Sequence, residues 1–345
     1  MSSSDSAVDV STLCGSEKGY GSAEKNYDLT LTDKVIAATG PNAHPRLARI
    51  MPSLVRHLHD FAREVDLTVD EWTAAIELVR TPCVSDAQCR SMPSLVRALL
   101  TISQLNECGR MSTDKRNETQ LLCDILGLET LVDEITANLV ADASASGAST
   151  PSAILGPFYR HDAPLLPNGT SIVRNLTPAV PWYATAIADS AFVKGRVFSS
   201  SSPNTPIRNA IVDVWHTAPN GLYEQQDPDQ PDMNLRGRFA TDSEGWYSFY
   251  CLRPVAYPIP DDGPAGKFLG MLDRHPYRPG HIHFIVSAPE HRTLTTQIFD
   301  DRDEYIAKDS VFAVKDELVV RFEPREGDPN GKWTLEYNFV LDSVA

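Results

Sequence analysis

Four side chains in the second half of the chain have the chemistry to hold one metal ion. His281 and His283 stand two residues apart in an alternating segment, and residues two apart on a β-strand point to the same face. Tyr223 and Tyr257 lie upstream in turn-like segments that can direct a side chain inward. Two phenolates with two neutral imidazoles suit a ferric ion, whereas zinc prefers imidazole, thiolate and carboxylate ligands. The pattern therefore favours a ferric site.

Other interpretations of these residues stay open from the pattern alone. A His-x-His pair on a strand also occurs as a packed histidine pair or as a cupin-type ligand pair. A buried tyrosine is usually a core aromatic whose hydroxyl has a hydrogen-bond partner. Glu290 follows the histidines closely, so a ferrous site with two histidines and one carboxylate is a further alternative.

Composition narrows the class of protein. The 345 residues suffice for one large or two ordinary domains, and they carry a net charge of −15. This charge argues against binding to nucleic acid or to an anionic membrane surface, which need basic patches. The sequence has neither an apolar run of membrane-spanning length nor the features of a signal peptide at its start. Six irregularly spaced cysteines form no disulfide framework. We expect a cytoplasmic protein.

The first part of the chain has helical periodicity. Residues 1–28 are polar and rich in serine, and we expect them to be disordered. Thr68 and Glu71 form a capping box, which predicts the start of a helix. Apolar residues at helical spacing predict three more helices, over Pro45–Val65, Glu118–Leu126 and Glu129–Leu139. A linker rich in alanine, serine and glycine follows over residues 141–152.

From residue 153 to the C-terminus the apolar pattern changes to a period of two. This pattern predicts seven strands: Phe192–Phe198, Ala210–Trp215, Trp246–Tyr250, His281–Val286, Thr293–Phe299, Glu317–Phe322 and Trp333–Leu341. Short strands separated by turn residues are typical of an antiparallel β-sandwich. Helices followed by strands give an α+β fold, with a helical region over 29–140 and a mainly antiparallel β-sandwich over 153–345.

Residues Val79–Gln104 interrupt this organisation. Pro82 and Pro93 break the helical pattern within them. If the segment is removed, the helix that contains Trp72 continues into Leu105 with an unbroken apolar stripe. We therefore interpret the segment as an unspliced in-frame intron, with a genuine surface insertion as the alternative.

Several motifs, in matching order and spacing, resemble those of the intradiol ring-cleaving dioxygenases, in particular the hydroxyquinol and catechol 1,2-dioxygenases. The resemblance extends from about Leu29 to the C-terminus, apart from the interruption. The segments that carry it are Leu155–Tyr159, Asp213–His216, Asn220–Tyr223, Tyr257–Pro264, Arg274–Phe284 and Leu294–Phe299.

The resemblance implies a role for each candidate residue. It implies an Fe(3+) cofactor with Tyr223 and His283 as equatorial ligands and Tyr257 and His281 as axial ligands. Tyr257 would leave the iron when the diol binds and would help to take up its proton. Arg278 would stabilise negative charge on the substrate ring. The family motifs also contain two histidines without a ligand role, His216 and His275.

The same resemblance implies a substrate pocket. Its residues would be Leu121, Asp124, Ile154, Gly156, Pro157, Phe158 and Gln297. Asp124 could accept a hydrogen bond from a third hydroxyl, which favours hydroxyquinol (benzene-1,2,4-triol), cleaved with O2 to 3-hydroxy-cis,cis-muconate or its tautomer maleylacetate. Cleavage of catechol to cis,cis-muconate is the first alternative. A non-catalytic, transthyretin-like binding sandwich is an alternative of another class.

The resemblance also implies an assembly. In the family the helical region forms a dimer and encloses a lipid-like ligand. We therefore expect a homodimer with an apolar tunnel between the helices Pro45–Val65 and Thr68–Leu78. The remaining expected partners are the aromatic diol or triol and O2, without nucleic acid.

Overall fold

A computed structural model describes residues 28–80, 102–113, 115–143 and 149–344 of the chain. Three of the predictions fall wholly or partly elsewhere. Residues 1–27 of the segment expected to be disordered lie outside the described residues. Residues 81–101 of the interruption also lie outside them. The centre of the expected linker, residues 144–148, also lies outside them.

Helices make up the first part of the fold. They are α1 (Leu31–Ala37), α2 (Pro45–Glu64), α3 (Val69–Arg80), α4 (Ile102–Met111), α5 (Glu118–Ile125) and α6 (Leu128–Ala143). The predicted capping box is confirmed at the start of α3. The Thr68 hydroxyl and main-chain N–H both donate to Glu71 Oε2, at 2.8 and 3.0 Å, and the Glu71 N–H donates back to Thr68 Oγ1 at 3.3 Å.

Strands dominate the rest of the chain, with two short helices, α7 (Tyr183–Ala188) and α8 (Pro264–Met271). In chain order the strands are β1 (Leu165–Leu166), β2 (Thr170–Ser171), β3 (Ser190–Ser199), β4 (Ser202–Pro206), β5 (Ile211–Trp215), β6 (Arg236–Ala240), β7 (Trp246–Leu252), β8 (Tyr257–Pro258), β9 (Tyr277–Arg278), β10 (His281–Ser287), β11 (Leu294–Asp300), β12 (Val319–Val320), β13 (Glu323–Pro324), β14 (Trp333–Glu336) and β15 (Phe339–Leu341).

The strands form two packed sheets and one small ribbon. The first sheet has the order β1-β6-β5-β10-β11-β12, and the second has the order β13-β14-β3-β7-β2, with β4 and β15 also paired to β3. The long central pairs are antiparallel, namely β5 with β6, β10 with β5 and β11, and β3 with β7. Strands β8 and β9 form the ribbon. The predicted α+β fold with a mainly antiparallel sandwich is confirmed.

Alternation along β10 separates the sandwich core from the candidate site. Ile282 and Phe284 lie in the apolar core between the two sheets, together with Phe249 of the opposite sheet. His281 and His283 are equally buried but do not belong to that core. A second apolar core joins the helices to the loops of the sandwich and to Phe299 of β11, so the two regions pack against each other.

Two predicted strands differ in extent from the observed ones. The segment predicted over Glu317–Phe322 begins as a short 3₁₀ turn and contributes only β12. The segment predicted over Trp333–Leu341 is divided between β14 and β15. At the break, the Arg196 N–H donates to the Asn338 side chain at 2.8 Å, because the main chain of β3 and its neighbour separates there. In the described part of the chain, no helix has the length and apolar character that a membrane crossing would require.

Candidate metal and substrate site

Strand β10 aims both histidines at one point, as its alternation predicted. The Nε2 atoms of His281 and His283 lie 3.0 Å apart, and both side chains are buried. The indole of Trp215, from the neighbouring strand β5, stacks on the His283 ring at 4.7 Å with an interplanar angle of 6°. This stack holds the His283 ring in place, since its Nδ1 atom has no hydrogen-bond partner.

The two tyrosines reach the same point from the turn segments. The Tyr223 hydroxyl lies 3.1 Å from His283 Nε2 and 3.4 Å from the Tyr257 hydroxyl. Gly221 allows this approach because its φ is +78° and an added Cβ would lie 3.2 Å from Tyr257 Cβ. We call the four residues that meet here, Tyr223, Tyr257, His281 and His283, the four-donor cluster.

The protonation states of the four-donor cluster fit a cation. The Nδ1–H of His281 donates to the Pro279 carbonyl at 2.8 Å, which leaves Nε2 with its lone pair facing the cluster. Burial lowers the pKa of His281 and His283 well below the usual value, so both imidazoles stay neutral. Burial raises the pKa of both tyrosines. Because a bound Fe(III) favours the phenolate form, this donor set is suited to a ferric ion.

Arg278 adds a fixed positive charge beside the four-donor cluster. Its Nη1 atom lies 3.2 Å from His281 Nε2. Its Nε and Nη2 atoms donate to the two carboxylate oxygens of Asp309, at 3.0 and 3.2 Å. Burial opposes the charge on Arg278, but Asp309 outweighs it and keeps the guanidinium pKa above its usual value. The paired geometry orients the guanidinium.

Gln297 braces Arg278. Its Oε1 atom accepts from Arg278 Nη2 at 2.9 Å, and its Nε2 atom donates to the Ile154 carbonyl at 2.6 Å. Both ends of the amide are therefore engaged within the protein. Gln297 therefore holds Arg278 and Ile154 in position.

The segment 154–158 lines the cluster. Gly156 has a φ of +78°, and a Cβ added to it would lie 3.2 Å from His283 Cε1. Phe158 stacks on Tyr223 with ring centres 4.8 Å apart. Ile154, Gly156 and Pro157 also line a cleft of about 1280 Å³ between the helices and the sandwich. The four donors do not line this cleft, and Gly156 lies both in its wall and beside the His283 ring.

Two further pocket residues come from the helices. Leu121, on α5, packs in the core shared by the helices and the sandwich. Asp124, one turn later, is buried, and its side chain hydrogen-bonds the side chain of Glu129 on α6. The Asp124 Oδ1 atom has no partner. We call Asp124 and Glu129 the acid pair.

Three other polar residues that could have served as metal ligands do not reach the four-donor cluster. His216 is buried, its Nδ1 atom is 2.8 Å from the Thr217 carbonyl, and burial lowers its pKa to about 4. His275 is exposed on the surface. Glu290 is exposed beyond the far end of β10, so it cannot join the histidines. Within the described residues, no cluster of three or more histidine, cysteine, aspartate or glutamate side chains could hold a metal.

Sequence reasoning missed three residues that fix the site. Asp309 orients Arg278, and Glu129 bonds Asp124. The Arg236 guanidinium packs over the Tyr223 ring at 5.7 Å. It also donates at 2.7 Å to Glu224, the residue that follows Tyr223 in the chain. The spacing of Glu129 after Asp124, across the break between two helices, was a possible signal. No local pattern marks Asp309 or Arg236.

Comparison with known proteins agrees with this geometry. The family model "Dioxygenase" matches residues 156–343, and the model "Catechol dioxygenase N terminus" matches residues 44–86 and 99–144. The second match is interrupted over residues 87–98, within the segment that breaks the helical pattern.

Similar proteins cover nearly the whole chain. A catechol 1,2-dioxygenase from Candida albicans is 43% identical over 90% of this chain and 91% of its own length. A hydroxyquinol 1,2-dioxygenase from a Rhizobium species is 37% identical over 94% of this chain and 97% of its own length. The solved hydroxyquinol 1,2-dioxygenase of Pseudomonas putida superimposes with a TM-score of 0.58 at 34% identity, covering 91% of this chain and 98% of that one.

The fold and the matched family models define a class of oxygenases, and the members of this class are non-haem iron enzymes. The chain belongs to the intradiol ring-cleaving dioxygenases, as its motifs predicted. It is an enzyme of that family, and the alternative of a non-catalytic binding sandwich is set aside.

Proposed function

We propose that the four-donor cluster binds one Fe(III) ion and that the chain cleaves hydroxyquinol between its vicinal hydroxylated carbons. The observation that carries the metal proposal is the convergence of two phenol oxygens and two imidazole nitrogens within 3.0–3.4 Å contacts in a buried space. A ferric ion, when bound, acts as a Lewis acid and makes the diol reactive toward O2.

The protein side chains then have distinct tasks. The Tyr257 hydroxyl lies 3.4 Å from the Tyr223 hydroxyl, and its ring lies 5.5 Å from the His281 ring. Tyr257 is the first residue of β8, in the ribbon with β9. By the family resemblance, it is the donor that moves away from the cluster and accepts a proton from the incoming diol. Arg278, held by Asp309, is suited to stabilise negative charge that develops on the ring.

Asp124 is the basis for choosing hydroxyquinol. Its buried, unpartnered Oδ1 atom can accept a hydrogen bond from a third ring hydroxyl, and a site built for a hydroxyl discriminates against substrates that lack it. Ile154, Gly156, Pro157 and Phe158 would form the wall of the pocket, with Leu121 behind it. The product would be 3-hydroxy-cis,cis-muconate or maleylacetate.

Catechol is the second candidate substrate. The relative with 43% identity is named a catechol 1,2-dioxygenase, which favours it. The two substrates differ by one hydroxyl, and only hydroxyquinol can donate a hydrogen bond from that hydroxyl to Asp124.

We also propose a cytoplasmic homodimer formed through the helical region. Phe61 and Val65, at the end of α2, are 54% and 39% exposed, which supports an apolar contact there. The lipid-like ligand between α2 and α3 remains a prediction. A single species of monomer mass in light scattering at micromolar concentration would contradict the dimer.

The absorption spectrum of the purified protein tests the metal and the substrate together. Tyrosinate bound to Fe(III) gives a visible charge-transfer band, which we expect to move to longer wavelength when diol is added without oxygen. Hydroxyquinol should bind more tightly than catechol in the same titration. A protein that stays colourless after ferric reconstitution would contradict the ligand assignment.

A further inference from the structure

The acid pair is a buried contact between two carboxyl groups at the edge of the proposed pocket. Glu129, in the first turn of α6, accepts three N–H bonds. Two come from the Gln120 side chain, at 3.0 and 3.2 Å, and one comes from the Leu155 main chain, at 3.1 Å. A carboxylate that accepts several N–H bonds near a helix N-terminus is stabilised as the anion.

Asp124 has the opposite surroundings. It lies in the last turn of α5, where no donor from the described residues reaches its Oδ1 atom, and its side chain hydrogen-bonds that of Glu129. Two buried carboxyl groups in contact cannot both ionise, so the pair holds one proton. Burial raises the pKa of both, and their mutual hydrogen bond raises that of Asp124 and lowers that of Glu129.

The charged neighbours of the pair do not change this assignment. Arg278 faces Asp124 but is itself paired with Asp309. Asp133 faces Glu129 and is paired with Lys315 at 2.8 Å. The three N–H bonds to Glu129 favour its anion, and the proton therefore resides on Asp124.

We propose that Asp124 works as a neutral carboxylic acid, with Glu129 as a positioning residue that accepts its proton in a hydrogen bond. The carbonyl oxygen of this acid then presents a neutral acceptor to the third hydroxyl of the substrate. This inference rests on the proposed hydroxyquinol activity. A neutral acceptor recognises the hydroxyl without placing a negative charge beside the electron-rich ring.

An amide should replace such an acid. In D124N, the new N–H group can donate to Glu129 and the amide oxygen can still accept from the substrate. We expect the ratio of kcat/KM for hydroxyquinol over catechol to stay within about threefold of the unmodified enzyme, a change of less than one typical hydrogen bond. D124A removes the acceptor and should lower that ratio at least about tenfold.

The role of Glu129 needs a separate variant. In E129Q, Oε1 can still accept from Gln120 and Leu155, while Nε2 donates to Asp124 and the negative charge moves to Asp124. Catechol leaves that charge unpaired, so its turnover should fall more than that of hydroxyquinol and the ratio should rise at least about threefold. D133N, an acid-to-amide change on the same helix, is the control and should leave the ratio unchanged.

The outcomes separate the two proposals. If D124A leaves the ratio unchanged, Asp124 does not recognise the third hydroxyl and that part of the proposed function is wrong. If D124A and D124N lower the ratio equally, Asp124 acts as a carboxylate and the present inference is overturned. An unchanged or lower ratio in E129Q overturns the role of Glu129. The charge-transfer band, measured for every variant, verifies that the ferric site is intact.

Discussion

Outside the four-donor cluster, substitution of Asp309 should cause the largest loss of stability and activity. Its carboxylate accepts two bonds from the buried Arg278 and two more from the main-chain N–H groups of Val311 and Ala313, at 3.3 and 3.0 Å. In D309N one acceptor oxygen becomes a donor, so at least one bond to Arg278 and one main-chain bond are lost. Breaking a buried ion pair from one side costs about 3–5 kcal/mol.

Two measurements test this figure. Denaturant unfolding of D309N should show a free energy of unfolding lower by about 3–5 kcal/mol than that of the unmodified protein. The kcat of the surviving folded enzyme should fall as well, since Arg278 loses its orientation. D301N is the matched control. Its partner Arg321 is largely exposed, so its loss should cost less than about 1 kcal/mol.

A D309N protein that unfolds at the same denaturant concentration as D301N, with an unchanged kcat, would show that Asp309 neither stabilises nor orients the guanidinium. A loss of stability without a loss of kcat would limit Asp309 to a structural role.

Three further predictions concern other parts of the fold. G156A should weaken ferric binding, seen as a reduced charge-transfer band, because its Cβ would press on the His283 ring and its φ is positive; an unchanged band would contradict the close approach. T68A should lower the free energy of unfolding by about 1 kcal/mol through loss of the capping box, whereas exchange of the neighbouring exposed Asp70 for Asn should change it little. Burial raises the pKa of Asp213 to about 7 from a usual value near 3.8, so the folded state keeps a proton that the unfolded state releases. Stability should therefore fall as the pH rises from about 4 to about 7, by up to about 1.4 kcal/mol per unit, and D213N should remove this dependence in unfolding measured from pH 5 to pH 8.

Strand periodicity was enough to predict the histidine half of the four-donor cluster. His281 and His283 needed only the alternation of β10, and the structure aligns His283 with Gln297 and Trp215 on the neighbouring strands. The tyrosines were different. Nothing in the spacing of Tyr223 and Tyr257 fixes where two turns meet, and their assignment depended on the resemblance to a family. Helices α2, α5 and α6 and the central strands followed from their apolar periods, and the start of α3 followed from its capping box.

Residues that act through long-range pairing were not predictable. Asp309 reaches Arg278 across 31 positions, and its segment has no regular period to suggest the direction of its side chain. The break between β14 and β15 arises because Asn338 substitutes its side chain for a main-chain acceptor, which an alternating pattern cannot show. Tertiary contacts decide both features.

Besides its expected role in dimerisation, the helical region makes hydrogen bonds to the residues of the candidate site. Glu129 bonds the Leu155 N–H in the pocket wall, and the Thr130 hydroxyl donates to the Val311 carbonyl at 3.0 Å, two residues after Asp309. From the sandwich, Arg274 donates to the Ile125 carbonyl, at the end of the helix that carries Asp124, at 2.6 Å. These bonds tie the acid pair on the helices to the Arg278 and Asp309 pair on the sandwich. A change in how the helices pack should therefore alter substrate preference before it alters the four-donor cluster.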